Sequence, residues 1–176
     1  MLAEWGIPFA VVDADVDEVM LDTAPEESAA QNALAKARSG SDHVDAGLVV
    51  GADTVVVCDG RILGKPRDEA QARDMLALLE GREHCVITAM AAVLMPERTT
   101  AARMSMTRVS MRRLSEDERQ AYLSNFEYRD KAGAYAVQGL AASFIERTEG
   151  PMDTIIGFTM CDFYALCSEL HVDMRR

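Results

Sequence analysis

Apolar and polar residues alternate along the chain in a pattern that predicts strands and helices in turn. Runs rich in β-branched and other apolar residues have the length and composition of strands. These runs cover residues 7–12, 48–50, 55–57, 85–94, 104–111 and 143–147. Because strands and helices interleave without a strict βαβ repeat, the pattern indicates an α/β fold with a mixed sheet.

Helices are predicted where capping residues precede apolar residues at helical spacing. Pro25 begins one helix and Gly40 ends it, with acidic residues in the first turn and basic residues near the end. Asp68 is an N-cap for a second helix, and Ser115 opens a third with a capping box. A final helix is predicted over residues 161–170.

The composition fits one globular domain, and its charge restricts the possible partners. The chain has 176 residues, of which 49% are hydrophobic and 27% charged. A chain of this length buries roughly 70% of its unfolded surface, so it needs no disulfide or metal staple. With 18 basic and 29 acidic residues the net charge is −11. This charge argues against a nucleic-acid polymer or an anionic membrane as a partner, although a small polyanion can bind at a local basic site.

The sequence contains no pattern typical of export or membrane insertion. Its longest apolar run, residues 85–95, has 11 residues, well below the ~18 that suggest a membrane span. The four cysteines show neither a C-x-x-C motif nor a zinc-type spacing with histidine. We expect free buried thiols in a reducing compartment and therefore a cytoplasmic protein.

The segment Gly51-Ala52-Asp53-Thr54 places a carboxylate between two apolar strand segments. Because burial of an unpaired carboxylate is costly, Asp53 should pair with a cation, a metal or a phosphate-bound ion. The alternative is a turn aspartate that accepts hydrogen bonds from its own backbone. These residues alone leave both interpretations open.

Two further segments combine small residues with polar side chains. Lys65 in Gly64-Lys65-Pro66 precedes a predicted helix start, where a lysine can reach a phosphate bound over the helix amides; an exposed loop lysine is the more common alternative. Residues 130–139 contain two glycines that allow close backbone approach, and Gln138 offers a donor and an acceptor to a base edge. The alternative for residues 130–139 is a strand with a bulge.

Taken together, these segments resemble the Maf family of nucleoside triphosphate pyrophosphatases. The resemblance extends over nearly the whole chain, and the order and spacing of the matched pieces are hard to obtain by chance. The pieces are Asp17-Glu18, Lys36-Ala37, residues 51–56, Gly64-Lys65-Pro66 with Ala70 and Met75-Leu76, Thr88, Leu114-Ser115 and residues 130–139. The resemblance implies one domain over residues 1–176, an elongated mixed sheet flanked by helices as in Maf and ITPase-like folds, and a homodimer.

The resemblance also implies an activity and a set of site residues. Family members hydrolyse a nucleoside triphosphate between its α- and β-phosphates, giving a monophosphate and pyrophosphate, with magnesium or manganese. Asp53 matches the family's base or metal-orienting residue, and Lys36 and Lys65 match its phosphate-binding lysines. Glu18 matches an acidic position near the metal. Because a hard cation takes phosphate oxygens, water and one or two carboxylates, Glu18 and Asp53 are the expected metal ligands.

Two positions favour the branch of the family that resembles dTTP/UTP pyrophosphatases over the branch that resembles 7-methyl-GTP pyrophosphatases. The first branch tends to carry Asp-Thr and a glutamine before glycine, as Asp53-Thr54 and Gln138-Gly139 do here. The second more often has Asp-Gln and a glutamate there. A neutral amide suits the donor and acceptor of a pyrimidine edge. Thr54 and Gln138 are therefore the expected substrate-binding residues, for ordinary or modified pyrimidine triphosphates.

The start of the chain departs from the family pattern. Family members open with a strand and Leu-Ala-Ser-x-Ser-Pro-Arg-Arg before a helix, whereas residues 1–9 match only the end of that helix. We therefore expect this chain to lack the family's N-terminal strand and the phosphate-binding serine and arginines that follow it. Either the chain is a fragment or mis-started product of an active enzyme, or it is a catalytically impaired nucleotide-binding or cell-division regulatory protein. Retention of Asp53, Lys65 and Gln138 favours the first interpretation.

Overall fold

In the computed structural model, which describes residues 1–21 and 24–174, one or two strands follow each of the first three helices. The helices are α1 (Pro25–Ser41), α2 (Glu69–Leu79), α3 (Glu116–Ser124), α4 (Met152–Ile156) and α5 (Met160–Glu169). The strands are β1 (Gly47–Cys58), β2 (Arg61–Leu63), β3 (Glu83–Met95), β4 (Thr99–Met111) and β5 (Ile145–Glu149). Short 3-10 turns cover Ala3–Trp5, Ala132–Ala134 and Leu140–Phe144.

The five strands form one sheet in the order β2-β1-β3-β4-β5. Strands β1 and β3 pair along almost their whole length, from Gly47 opposite Met95 to Val57 opposite Cys85. All four pairings among the described strands are antiparallel. Short turns join β1 to β2 and β3 to β4, whereas a parallel pair needs a longer crossover. The predicted α/β class and the elongated sheet flanked by helices are confirmed, and the described pairs include no parallel one.

Helix α1 lies directly on β1 because both elements carry small residues where they meet. Ala29, Ala33 and Ala37 are fully buried on the helix face that covers the sheet. Gly51 of β1 lies beneath them, where a Cβ atom would be 2.5 Å from the backbone nitrogen of Ala37. Only glycine allows that approach. The helix therefore passes close enough for its side chains to reach the middle of β1.

The opposite face of the sheet carries larger apolar side chains. Helices α2 and α3 contribute Leu76 and Leu123, which are fully buried, and α5 packs Leu166 against Met90 of β3. Each such leucine stabilises the fold by about 1.5–3 kcal/mol. Strand β1 is thus held from both faces, and its successive side chains point in opposite directions.

The predicted helix starts are confirmed by their caps. The side chain of Asp68 accepts a hydrogen bond from the backbone nitrogen of Gln71 at 2.8 Å. Ser115 and Glu118 form the predicted capping box, in which each side chain bonds the other residue's backbone nitrogen. These caps satisfy amide groups that a helix start leaves without a partner.

Three strand predictions need correction. Residues 7–12 form no strand: Pro8 has no amide hydrogen to donate, and none of the described strands pairs with this segment. Residues 48–50 and 55–57 belong to the single strand β1, because the intervening residues keep their register with β3. The last strand begins at Ile145 rather than at residue 143, because Leu140–Phe144 form a 3-10 turn.

Neither disulfides nor membrane-spanning helices occur in the part of the chain that the structure describes. All four cysteines are free thiols. Cys58 and Cys167 are buried as predicted, whereas Cys161 is exposed because it lies on the side of α5 away from the core. Within residues 1–21 and 24–174, every helix falls short of the length and apolar character needed to cross a membrane.

Candidate functional site

A pocket with a volume of about 280 Å³ opens beside the middle of β1. Strand β2 pairs with β1 only from Val56 onwards, so β2 leaves the preceding part of this edge uncovered. The walls come from the acidic loop before α1 (residues 7–21), from α1 itself, from the turn after β2, from the loop of residues 130–139 and from the end of α4. Five of the six residues predicted for the site line this pocket: Glu18, Lys36, Asp53, Thr54 and Lys65.

Asp53 lies within a continuous strand, and only 7% of it is exposed. Lys36 Nζ donates a hydrogen bond to its Oδ1 at 2.5 Å, and the Asn32 amide donates to its Oδ2 at 3.2 Å. The alternative of a turn aspartate is wrong, because Asp53 keeps its place opposite Ala89 in the sheet. A buried carboxylate needs this kind of pairing, and α1 supplies both partners.

Lys36 contacts both carboxylates of the pocket. Its Nζ lies 2.5 Å from Asp53 Oδ1 and 2.8 Å from Glu18 Oε1. Burial by itself would lower the pKa of Lys36, but the hydrogen bonds to Asp53 and Glu18 outweigh it, and the pKa is raised. Lys36 therefore stays protonated at neutral pH and acts as a fixed cation, not as a base.

Glu18 joins the second lysine to the same cluster. Lys65 Nζ lies 3.3 Å from Glu18 Oε1, the oxygen that also contacts Lys36. The hydrogen bond from Lys36 is the main reason that the pKa of Glu18 is lowered. The side chain of Lys65 is 55% exposed, so its ammonium group can turn towards an incoming anion. Two lysines and two carboxylates thus share one hollow.

Thr54 connects the pocket to the far face of the sheet. Its hydroxyl lies 2.8 Å from that of Thr88, its cross-strand partner on β3. Thr88 in turn donates to the backbone carbonyl of Thr154 at 2.7 Å, so Thr54 donates to Thr88. This chain of bonds fixes α4 and Gly157 beside the pocket, where a Cβ on Gly157 would lie 3.0 Å from the Thr54 hydroxyl.

The loop of residues 130–139 supplies another wall of the pocket. It forms turns and a short 3-10 segment, so the alternative of a bulged strand is wrong. The backbone nitrogen of Gly133 donates to the carbonyl of Gly64 at 3.1 Å, which ties this loop to the segment that carries Lys65. A positive φ of 68° and the close approach of Val56 make glycine necessary at position 133.

Gln138 is the one predicted site residue that lies outside this pocket. Its side chain is exposed and lines a neighbouring hollow together with Arg147. Ile156 lines both hollows, so it forms the boundary between them. A ligand that reaches both the lysine cluster and Gln138 must pass over Ile156.

Sequence reasoning missed Asn32, the second partner of the Asp53 carboxylate. Asn32 is one helical turn before Lys36 and only 5% exposed. A polar residue on the alanine face of an amphipathic helix is the signal that could have found it, because a buried amide must be hydrogen-bonded.

Tyr135, which also lines the pocket, forms a hydrogen bond with a buried histidine. Its hydroxyl lies 2.8 Å from His84 Nε2. Burial lowers the pKa of His84 to about 4 and raises that of Tyr135. The histidine is therefore neutral at pH 7 and fixes the phenol ring without adding charge to the pocket.

The donor set of the pocket suits a hard cation that arrives with its own oxygen ligands. Among the described residues, no group of three or more histidine, cysteine or acidic side chains could hold a metal alone. Glu18 and Asp53 supply two carboxylates, and both contact one ammonium group. Magnesium is typically bound by one or two carboxylates together with substrate phosphates and water, so these two residues fit such an ion.

Known proteins resemble this chain over most of its length. A sequence profile described as "Maf-like protein" matches residues 1–170. A dTTP/UTP pyrophosphatase from Caldanaerobacter subterraneus subsp. tengcongensis is 35% identical over 167 residues, which cover 94% of this chain and 81% of that protein. The dTTP/UTP pyrophosphatase of Moorella thermoacetica is 38% identical over 175 residues, covering 99% and 90%. That of Geotalea uraniireducens is 41% identical over 167 residues, covering 92% and 84%.

Proposed function

As the chain belongs to the Maf-like protein family, we propose that it hydrolyses dTTP and UTP to the nucleoside monophosphate and pyrophosphate. Its relatives named dTTP/UTP pyrophosphatase are 35–41% identical over most of both chains. The observation that carries the proposal is the convergence of Lys36, Lys65, Glu18 and Asp53 in one pocket. Cations for a triphosphate and carboxylates for water and metal are what phosphoanhydride hydrolysis requires.

In this proposal the two lysines bind the phosphates. Lys36, whose raised pKa keeps it charged, neutralises oxygens at the floor of the pocket. Lys65, exposed at the rim, exchanges its contact with Glu18 for one with a phosphate. As the bond between the α-phosphorus and the bridging oxygen breaks, negative charge grows on the departing pyrophosphate, and the nearby ammonium groups stabilise it.

Asp53 orients the attacking water and accepts its proton. Each carboxylate oxygen already accepts one hydrogen bond, from Lys36 and from Asn32, which fixes the group and leaves lone pairs free for water. The water oxygen bonds to the α-phosphorus while pyrophosphate leaves, and the water proton passes to Asp53 and then to solvent. A bound magnesium or manganese ion, held by Glu18 and Asp53, would neutralise further phosphate charge.

Pyrimidine recognition is assigned to Thr54 and Gln138. The pocket volume of about 280 Å³ suits the phosphates, and the base extends over Ile156 towards the neighbouring hollow that Gln138 lines. There the Gln138 amide can offer both a donor and an acceptor to a uracil or thymine edge. Thr54 lines the pocket beside Gly157.

The test is a measurement of pyrophosphate released from dTTP, UTP and 7-methyl-GTP, each with magnesium and with manganese. We expect release from dTTP and UTP and little from 7-methyl-GTP. A Gln138→Glu variant should lose its preference for pyrimidines, because a carboxylate cannot donate. Orthophosphate release would refute cleavage at the α–β bond. Nucleotide binding without turnover would refute the enzymatic activity and support the alternative of a nucleotide-binding regulatory protein.

Two further features are proposed: a homodimer, from the family resemblance, and a cytoplasmic location, from the cysteine pattern of the sequence. Light scattering of the purified protein at several concentrations tests the first, since a dimer has twice the mass of 19.3 kDa. Fractionation of the source cells tests the second. A monomer at all concentrations would refute the dimer, and recovery outside the cytoplasm would refute the location.

A further inference from the structure

The side-chain amide of Asn32 uses both its oxygen and its nitrogen in three hydrogen bonds. Its Oδ1 accepts from the backbone nitrogen of Val19 at 2.8 Å. Its Nδ2 donates to the backbone carbonyl of Val19 at 3.0 Å and to Asp53 Oδ2 at 3.2 Å. One buried side chain therefore holds the backbone beside Glu18 and the carboxylate of Asp53 at the same time.

The acidic loop before α1 is held by side-chain contacts, which include the ion pairs of Glu18 with Lys36 and Lys65. Residues 7–21 form no helix or strand. Ser28, one turn before Asn32 on α1, also bonds this loop, because its hydroxyl accepts from the backbone nitrogen of Leu21 at 2.8 Å. Within the described residues, the side chain of Ser28 hydrogen-bonds only to Leu21 and Ala24, whereas Asn32 bonds both the loop and the Asp53 carboxylate. Variants at these two positions therefore distinguish anchoring of the loop alone from coupling of the loop to the Asp53 carboxylate.

We propose that Asn32 is a positioning residue that sets the separation of the Glu18 and Asp53 carboxylates by holding Val19 and Asp53 with one amide. This inference rests on the proposed function of the pocket. Because both carboxylates contact Lys36, their separation decides whether they can share a cation and align water. A leucine at position 32 could make none of these bonds. An aspartate could still accept from Val19 but would face Asp53 with a second negative charge.

Three variants test this role: Asn32→Leu, Asn32→Asp and the control Ser28→Ala. Asn32→Leu should lower kcat for dTTP by about 100-fold, the loss typical of a 1 Å misplacement, and should raise the magnesium concentration needed for the half-maximal rate. Asn32→Asp should lose as much activity as Asn32→Leu. Ser28→Ala should keep kcat within about threefold of the wild-type value, even if it lowers the melting temperature as much as Asn32→Leu does.

Hydrogen exchange provides a readout that needs no nucleotide. In the wild type the Val19 amide should exchange slowly because it donates to Asn32. Asn32→Leu should remove that protection, and Asn32→Asp should keep it. Ser28→Ala should instead speed the exchange of the Leu21 amide, which donates to the Ser28 hydroxyl. If the wild type fails to hydrolyse or bind dTTP, the proposed function fails, and the exchange pattern still decides whether Asn32 holds the loop.

Three results would overturn the role of Asn32. The first is full dTTP turnover by Asn32→Asp, which would show that donation to Asp53 is not needed. The second is an equal fall in kcat for Ser28→Ala and Asn32→Leu, which would reduce Asn32 to a loop anchor. The third is unchanged exchange of the Val19 amide in Asn32→Leu.

Discussion

Replacing Gly51 by alanine tests whether α1 must lie directly on β1 for the site to work. A Cβ at this position would be 2.5 Å from the backbone nitrogen of Ala37, whereas ordinary contacts begin near 3.4 Å. A helix backbone cannot yield locally in a close-packed interior, so α1 must move away by about 1 Å.

That movement would separate the polar side chains of α1 from the Asp53 carboxylate on β1. Lys36 and Asn32 move with the helix, while Asp53 stays with the strand, so the contacts of 2.5 and 3.2 Å lengthen. A misplacement of about 1 Å can cost roughly 10²-fold in rate, and overpacking typically costs about 1–3 kcal/mol. We therefore expect Gly51→Ala to lower kcat/KM for dTTP by about 100-fold and the free energy of unfolding by about 2 kcal/mol.

Pyrophosphate release and urea unfolding followed by circular dichroism measure the two effects. Gly40→Ala is the matched control, because it lies on the same helix and its Cβ would meet side-chain methyl groups rather than backbone, namely those of Val49 at 3.2 Å and Val12 at 4.0 Å. We expect that control to keep nearly wild-type activity. Wild-type activity and stability in Gly51→Ala would refute the argument that close packing of α1 on β1 positions the cluster.

Three further predictions concern single groups in or behind the pocket. Asp53→Asn should lower kcat for dTTP by at least about 100-fold with an unchanged circular dichroism spectrum; full turnover would remove Asp53 from the mechanism. Glu18→Gln should raise the magnesium concentration for the half-maximal rate by at least about tenfold, and an unchanged requirement would exclude it as a metal ligand. His84 has a pKa of about 4 in the folded protein against 6.5 unfolded, so the unfolded state binds more protons between these values. The contribution of His84 to the free energy of unfolding should therefore fall by about 3 kcal/mol from pH 7 to pH 4, and an equal total fall in the wild type and in His84→Gln would contradict this cause.

Local signals in the sequence were sufficient for the helix starts. Asp68 and Ser115 act on amides within three residues of themselves, so their effect does not depend on the rest of the fold. The strands were harder. Gly51 and Asp53 disfavour a strand by local propensity, yet β1 continues through them because α1 needs the glycine and supplies partners for the carboxylate.

The charged residues of the site were easier to predict than the polar residues around them. Glu18, Lys36, Asp53 and Lys65 stand in short segments typical of the family, and the structure brings them into one pocket. Asn32 stands in no such segment, and its importance depends on how the acidic loop folds back onto α1. The place of Gln138 depends likewise on the path of a loop, which local patterns do not determine.

Hydrolysis of dTTP in water labelled with oxygen-18 reports which phosphorus atom the water attacks. The pocket holds Asp53 and Lys36 together, and water that Asp53 orients should attack the α-phosphorus. Mass spectrometry should therefore find the label in the thymidine monophosphate and none in the pyrophosphate. Label in the pyrophosphate, or thymidine diphosphate as the product, would refute attack on the α-phosphorus.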